Sequence, residues 1–151
     1  MSAPVSLVNI SGLLIFQIAK REFCTDLKPV TAILKPGEYK VHNRGYKPTR
    51  VDPDQNHTPI DFAGFYSLKN DNSLDSTRVL YLEMFGQKIS FYVDKVMEII
   101  SLDKLFIEES IRMELADGLD YVNYILSIQQ NKYYFPDFAR IVREVRLMSV
   151  L

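Results

Sequence analysis

Apolar residues alternate along this chain in paired short runs separated by polar breaks. Leu14, Phe16 and Ile18 alternate, Lys20-Arg21-Glu22 interrupts, and Phe23, Thr25 and Leu27 resume the pattern. Period-two patterning on both sides of a charged break predicts a β-hairpin with one buried face. A second such unit follows: Leu80, Leu82 and Met84, a break at Gly86-Gln87-Lys88, then Ile89, Phe91 and Val93. Gly86 supplies the backbone freedom that a tight turn needs. The two hairpins superpose without a gap at an offset of 66 residues, which sets Leu14 on Leu80, Phe16 on Leu82, Phe23 on Ile89 and Leu27 on Val93. The register persists, with Val30 and Ile33 falling on Val96 and Ile99. Two similar hairpin units predict two small β subdomains rather than one continuous sheet.

A third alternating stretch runs through Val122, Tyr124, Leu126 and Ile128, turns at Gln129 to Lys132, and returns through Tyr133 and Phe135. Pro136-Asp137 stops that strand, since proline cannot donate to a ladder. Beyond it Phe138, Ile141, Val142, Val145 and Met148 recur at helical spacing, and Asp137 is placed to cap the helix. Lys35 to Pro59 holds Pro36, Gly37, Gly45, Pro48, Pro53 and Pro59, too many breakers for a long regular element. Lys69 to Thr77 is polar and reads as a surface loop between the two β units. Ser101 to Gly118 is mixed and compatible with a short helix.

Composition narrows the function classes. The 151 residues carry 18 Lys+Arg against 19 Asp+Glu, a formal net charge of −1, and 47% are hydrophobic, the profile of a folded globular protein. Near-zero net charge removes the electrostatic drive of a general duplex-DNA binder. The single cysteine, Cys24, excludes an intramolecular disulfide and a cysteine-rich zinc site. Met1 to Ser11 contains no Lys or Arg, so no signal-peptide n-region is read there. The early apolar run Leu13 to Phe16 is far short of the ~20 residues of a membrane span. These features predict a cytoplasmic protein without membrane insertion.

Catalysis needs groups that change charge or attack, held in mutual reach, and no such group assembles in the sequence. Neither GxGxxG, GxxxxGK[ST] nor GxSxG occurs. His57 lies near Asp52, Asp54 and Asp61, but without a recognised metal-ligand spacing these acids read as solvated turn residues. Cys24, mid-strand, reads as a small buried hydrophobe. No catalytic residue, cofactor site or metal site is therefore assigned, and the chain is read as a non-enzyme. The segment from Lys35 to Arg50 carries Lys35, Lys40, Arg44, Lys47 and Arg50 against Glu38, interleaved with Tyr39 and Tyr46. Such a loop can stack on unpaired bases, which makes a small β-barrel nucleic-acid-binding module the alternative reading. The simpler reading is a solvated loop balanced by Asp52 and Asp54.

Several segments, taken in order, resemble the CheW-like domain family. Leu14-Ile15-Phe16-Gln17-Ile18 through Phe23-Cys24-Thr25-Asp26-Leu27, followed by Val30 and Ile33, is similar to that family's opening hairpin and its V-x-x-I segment. Arg78-Val79-Leu80-Tyr81-Leu82, Gly86 and Tyr92-Val93-Asp94-Lys95-Val96 resemble its hydrophobic-V-D-x-V segment. Thr58-Pro59-Ile60-Asp61-Phe62 resembles its P-(hydrophobic)-D-(hydrophobic) strand, one residue shorter, and Tyr133 to Phe138 its closing strand and helix. The resemblance implies a mainly β fold of two small five-stranded, SH3-like β-barrels side by side with a C-terminal helix. It covers the chain from about Gly12 to Glu144 and implies a single domain over residues 12–148, after a short N-terminal extension of residues 1–11. It also implies a non-enzymatic adaptor that links chemoreceptors to a histidine kinase in a chemosensory or motility complex. Val30 and Ile33 would line the groove that takes the receptor. The family's Asn-Leu-Arg-Gly, tied to partner binding, has no counterpart before Pro59: Asp54 stands where the arginine belongs, and Arg44-Gly45 occurs earlier. Asp54 and Arg44 are therefore candidate partner-binding positions of a divergent member. Asp94, ending its strand, reads as a structural acid that satisfies turn backbone.

Overall fold

The computed structural model describes residues 10–36, 38–42, 45–48, 57–71, 75–113 and 120–150. Three hairpins form where the alternation places them: β1 (Gly12–Ile18) with β2 (Arg21–Asp26), β7 (Arg78–Met84) with β8 (Gln87–Val93), and β11 (Val122–Ile128) with β12 (Asn131–Pro136). Each turns through two residues of positive φ, Ala19-Lys20, Phe85-Gly86 and Gln129-Gln130. Two consecutive left-handed residues match the twist of the flanking strands. Only Gly86 among the six enters that region without a Cβ penalty.

The segment Lys35 to Pro59 corrects the expectation of irregular chain. It contains the hairpin β4 (Tyr39–His42) with β5 (Gly45–Pro48), and the short strand β6 (Thr58–Pro59). Its breakers sit where strands tolerate them: Gly45 and Pro48 at the ends of β5, Pro59 on an edge strand. In the described part of the Ser101 to Gly118 segment, through residue 113, a 3-10 turn and a strand stand in place of the short helix expected; the rest lies outside the described residues. β9 (Lys95–Ser101) leads into a 3-10 turn at Leu102–Lys104 and then β10 (Glu109–Arg112). The C-terminal helix α1 (Phe138–Val150) forms as read, and the Asp137 carboxylate accepts the Arg140 backbone N–H at 3.2 Å.

The strands join as a six-stranded sheet β10-β11-β12-β2-β1-β9, a four-stranded sheet β3-β7-β8-β6 with β3 at Val30–Leu34, and the β4-β5 pair. The internal repeat governs this assembly, but each repeat's flanking strands join the other repeat's hairpin. β3 pairs with β7, setting Val30 opposite Leu82 and Ile33 opposite Leu80; β9 pairs with β1, setting Val96 opposite Phe16 and Ile99 opposite Leu14. These are the same pairings at the offset seen in sequence. Both ladders carry a register shift at the equivalent place, around Thr31 in one and Met97 in the other. The correspondence extends to two parallel pairings, Thr58 with Ile89 and Tyr134 with Phe23. After each comes Asp-Phe-Ala, at Asp61-Phe62-Ala63 and Asp137-Phe138-Ala139, opening the 3-10 turn Ala63–Tyr66 and helix α1. Asp61 accepts the Gly64 N–H at 3.1 Å as Asp137 accepts that of Arg140.

Burial follows from this arrangement. Leu14, Phe16, Ile18 and Phe23 meet Leu80, Leu82, Ile89, Phe91 and Val93 in the main core, closed by Phe62, Ala63, Phe138, Ile141 and Val142. The hairpin β1-β2 buries both faces, not one, because Leu13, Ile15 and Cys24 point into a second core with Tyr124, Leu126, Ile128 and Tyr133. On the far side of the four-stranded sheet, Val79 and Tyr81 pack with Ala32, Leu34 and Tyr92.

Candidate functional site

Among the described residues no group of three or more His, Cys, Asp or Glu is placed to hold a metal ion. Cys24 is fully buried, and that burial pushes its thiol pKa up, so it keeps its proton and behaves as a small hydrophobe. The His57 ring stacks on Tyr81 at 4.2 Å and lies 3.4 Å from the Thr31 hydroxyl; Asp52 and Asp54 lie outside the described residues, and Asp61 is engaged by Gly64. What the surface offers instead is apolar side chains on the outer strands of the two sheets.

On β3, an outer strand, Val30 and Ile33 are half-buried and pack on the main core, while Thr31 between them is exposed. They therefore serve the core and leave part of their surface to solvent. The repeat places Val96 and Ile99 at the equivalent positions on β9, an outer strand of the other sheet. There Val96 is half-buried like Val30, but Ile99 is 51% exposed, and Met97, at the position of Thr31, is 41% exposed. Leu102 and Phe106 continue the exposed apolar run. Sequence reasoning singled out the first V-x-x-I and passed over the second, although the constant offset already paired them. Arg44 and Asp54 lie outside the described residues, as do most side chains of the basic Lys35–Arg50 segment.

A cleft of about 640 Å³ opens between Thr58–Asp61, the turn residues Gly64 and Phe65, Tyr121, and the helix residues Glu144 and Val145. Two of its lining residues, Tyr121 and Glu144, belong to a polar network beside it. The Tyr121 hydroxyl donates to Glu144 Oε2 at 2.6 Å, and Arg140 lies 4.3 Å above the Tyr121 ring while contacting Asp120 and Glu144 at 3.5 Å. The bond to Glu144 raises the Tyr121 pKa, with burial and the Glu144 charge adding to it and Arg140 opposing. Behind it the Tyr66 hydroxyl donates to the Tyr121 carbonyl at 2.8 Å. Burial raises the Tyr66 pKa, helped by the negative charge of Asp137.

A raised phenol pKa stabilises the fold below the unfolded value near pH ~10 and loses that contribution as pH climbs above it. Tyr66→Phe should therefore cost about 1 kcal/mol at neutral pH, from the lost hydrogen bond. It should also make the alkaline loss of stability shallower. Urea melts of both proteins at neutral pH and above pH 10 check this; parallel alkaline losses would contradict it.

No family profile matches the chain, and no curated protein matches it in sequence. Among solved structures it is similar to the scaffolding protein TtCheW from Thermoanaerobacter tengcongensis, with a TM-score of 0.61 and 18% identity over 84% of this chain and 88% of that one. The fold of this chain is thus mainly β and CheW-like, two β units closed by one C-terminal helix.

Proposed function

We propose that this chain is a non-enzymatic adaptor of a chemosensory or motility signalling complex. In this reading it links a chemoreceptor to a histidine kinase, or to a specialised partner that replaces one of them. The observation that carries the reading is the CheW-like fold with a partly exposed V-x-x-I strand, β3, at a sheet edge. The structural relative is a scaffolding protein, which supports a role in assembly rather than turnover. An outer strand flanked by apolar side chains accepts a partner by surface complementarity. Val30 and Ile33 are the proposed contacts on β3, with Arg44 and Asp54 the polar ones. Among the described residues no helix is long and apolar enough to cross a membrane. The fold comparison lends nothing to the nucleic-acid alternative.

Affinity purification from the native cell's lysate with nuclease treatment, followed by mass spectrometry, tests the reading. Recovery of a chemoreceptor or a chemotaxis-type kinase is expected. Stoichiometric nucleic acid whose binding falls steeply with salt would overturn it in favour of the basic-loop alternative. Asp54→Arg restores the charge found in the family at that position and should tighten binding to a conventional chemotaxis kinase; no gain would remove Asp54 from the interface.

A further inference from the structure

Neither half of this chain completes a sheet around its own first hairpin. Within residues 12–68 the pairings are β1-β2 and β4-β5; within residues 78–150 they are β7-β8 and β10-β11-β12. Among the described residues every other pairing crosses from one half to the other: β1 with β9, β2 with β12, β3 with β7, β6 with β8. The hairpin β1-β2 lies between β9 and β12 of the second half, and β7-β8 lies between β3 and β6 of the first. The main core is shared in the same way, since Phe16, Phe23 and Phe62 meet Phe91 and Phe138. An isolated hairpin is marginal in water, so the hairpins β1-β2 and β7-β8 each depend on strands of the other half.

We infer that a second copy of this chain is a binding partner, engaged by reciprocal exchange of halves: residues 12–68 of each copy complete residues 78–150 of the other. Every strand pairing that crosses between halves would be remade unchanged in such a pair. The halves are joined only through Lys69–Thr77, whose described residues form neither strand nor helix. What favours closure within one chain is proximity, which for a short linker amounts to an effective concentration on the order of millimolar. A latch adds to it. Asp94 Oδ1 accepts from Asn70 Nδ2 at 3.2 Å and from the Asp71 N–H at 3.0 Å, and the Asp94 carbonyl accepts from the Ser76 hydroxyl at 2.9 Å. Both ends of the linker are thereby tied to the bend between β8 and β9. Exchange of identical elements is a low-cost route to a closed dimer, and the product carries two β3 and two β9 surfaces.

The test uses two full-length variants, Gln17→Cys and Lys95→Cys, at positions that face each other in the β1-β9 ladder. Opposed residues of an antiparallel pair lie within disulfide reach. Each chain then holds one of the two new thiols, while Cys24 stays buried. The variants are mixed, unfolded and refolded together under reducing conditions at about 0.1 and about 1 mM, rising toward the effective concentration, then oxidised once folded so that Cys24 is out of reach, and compared with each variant alone. The expected result is a 17–95 crosslinked dimer in clear excess over either self-crosslinked control. Its share should rise about tenfold with the tenfold concentration step while it is the minor species, and rise further when both chains carry Asn70→Ala. Monomer alone at the higher concentration, or dimer no more abundant than in the controls, overturns the inference. If refolding yields are poor, co-expression of the two variants gives the same readout, and the same absence there overturns it.

Discussion

Phe62→Ala should cost about 4 kcal/mol of folding stability, near the upper part of the range for emptying a buried aromatic site. Phe62 is 1% exposed and stands where the two halves of the chain meet. Its ring stacks on Phe91 at 4.2 Å and lies 5.6 Å from Phe23, 5.8 Å from both Phe16 and Phe138, and 5.1 Å from Tyr66. Those neighbours belong to both sheets, the helix and the turn, so no single element can move to fill the void without breaking its own ladder. Aromatic pairs contribute beyond the area they bury, and this ring takes part in five. Phe138 is its counterpart in the second Asp-Phe-Ala, but its ring contacts are the looser ones to Phe62 and Phe91, the latter at 6.3 Å. Phe138→Ala should therefore cost less, about 3 kcal/mol. Equilibrium urea unfolding measures both. A loss below about 2 kcal/mol at Phe62 would mean that the interface between halves relaxes freely, and the account of a jointly built core would fail.

The hairpins were legible because alternation reports a buried face directly, and the turn residues fell between two such runs. Alternation does not say which strand lies alongside. Val30 and Ile33 look the same in sequence whether β3 joins its own hairpin or the other one, so the exchange of flanking strands emerged only from the pairing. The second Asp-Phe-Ala lies off the repeat's register for a simpler reason. It follows the first by 76 residues, not 66, because the stretch between β9 and β12 is longer than that between β3 and β6, and a fixed-offset comparison loses the match. β4 and β5 were hidden by prolines and glycines that sit at strand ends. Of the candidate site, Val30 and Ile33 are placed on an outer strand, whereas Arg44 and Asp54 fall outside the described residues. Ile99, the repeat counterpart of Ile33, is the more exposed of the two, and Met97 beside it stands where the first half has Thr31; exposure depends on what covers a strand, which periodicity does not report.

Asp94 satisfies turn backbone, as its place at a strand end predicts, and its removal should be the second costly change, about 3 kcal/mol for Asp94→Ala. The residue is 6% exposed, and its carboxylate accepts three hydrogen bonds: from the Ala19 N–H at 2.7 Å, the Asp71 N–H at 3.0 Å and Asn70 Nδ2 at 3.2 Å. Hydrogen bonds to a charged acceptor are each worth about 1.5–3 kcal/mol, and water reaching these part-buried donors returns some of that loss. One donor comes from the β1-β2 turn, where Ala19 holds φ at 49°, a conformation that costs an alanine about 1 kcal/mol and is maintained by this bond. The other two come from the linker. At the repeat-equivalent position of the first half stands Lys28, which has no carboxylate to offer; there the β7-β8 turn is held from outside, by Arg146 donating to the Phe85 carbonyl at 2.6 Å. The two turns are therefore built alike and secured differently, and only one of them depends on a buried acid. Asp94→Asn keeps one acceptor oxygen but turns an amide donor toward a backbone N–H, so it should lose about 2 kcal/mol, between the wild type and the alanine variant. Native-state hydrogen exchange should show the Ala19 and Asp71 amides losing protection in both variants while those of β11 and β12 keep theirs. A loss under about 1 kcal/mol for Asp94→Ala, with Ala19 still protected, would show that the turn and the linker hold themselves, and that the carboxylate is an onlooker.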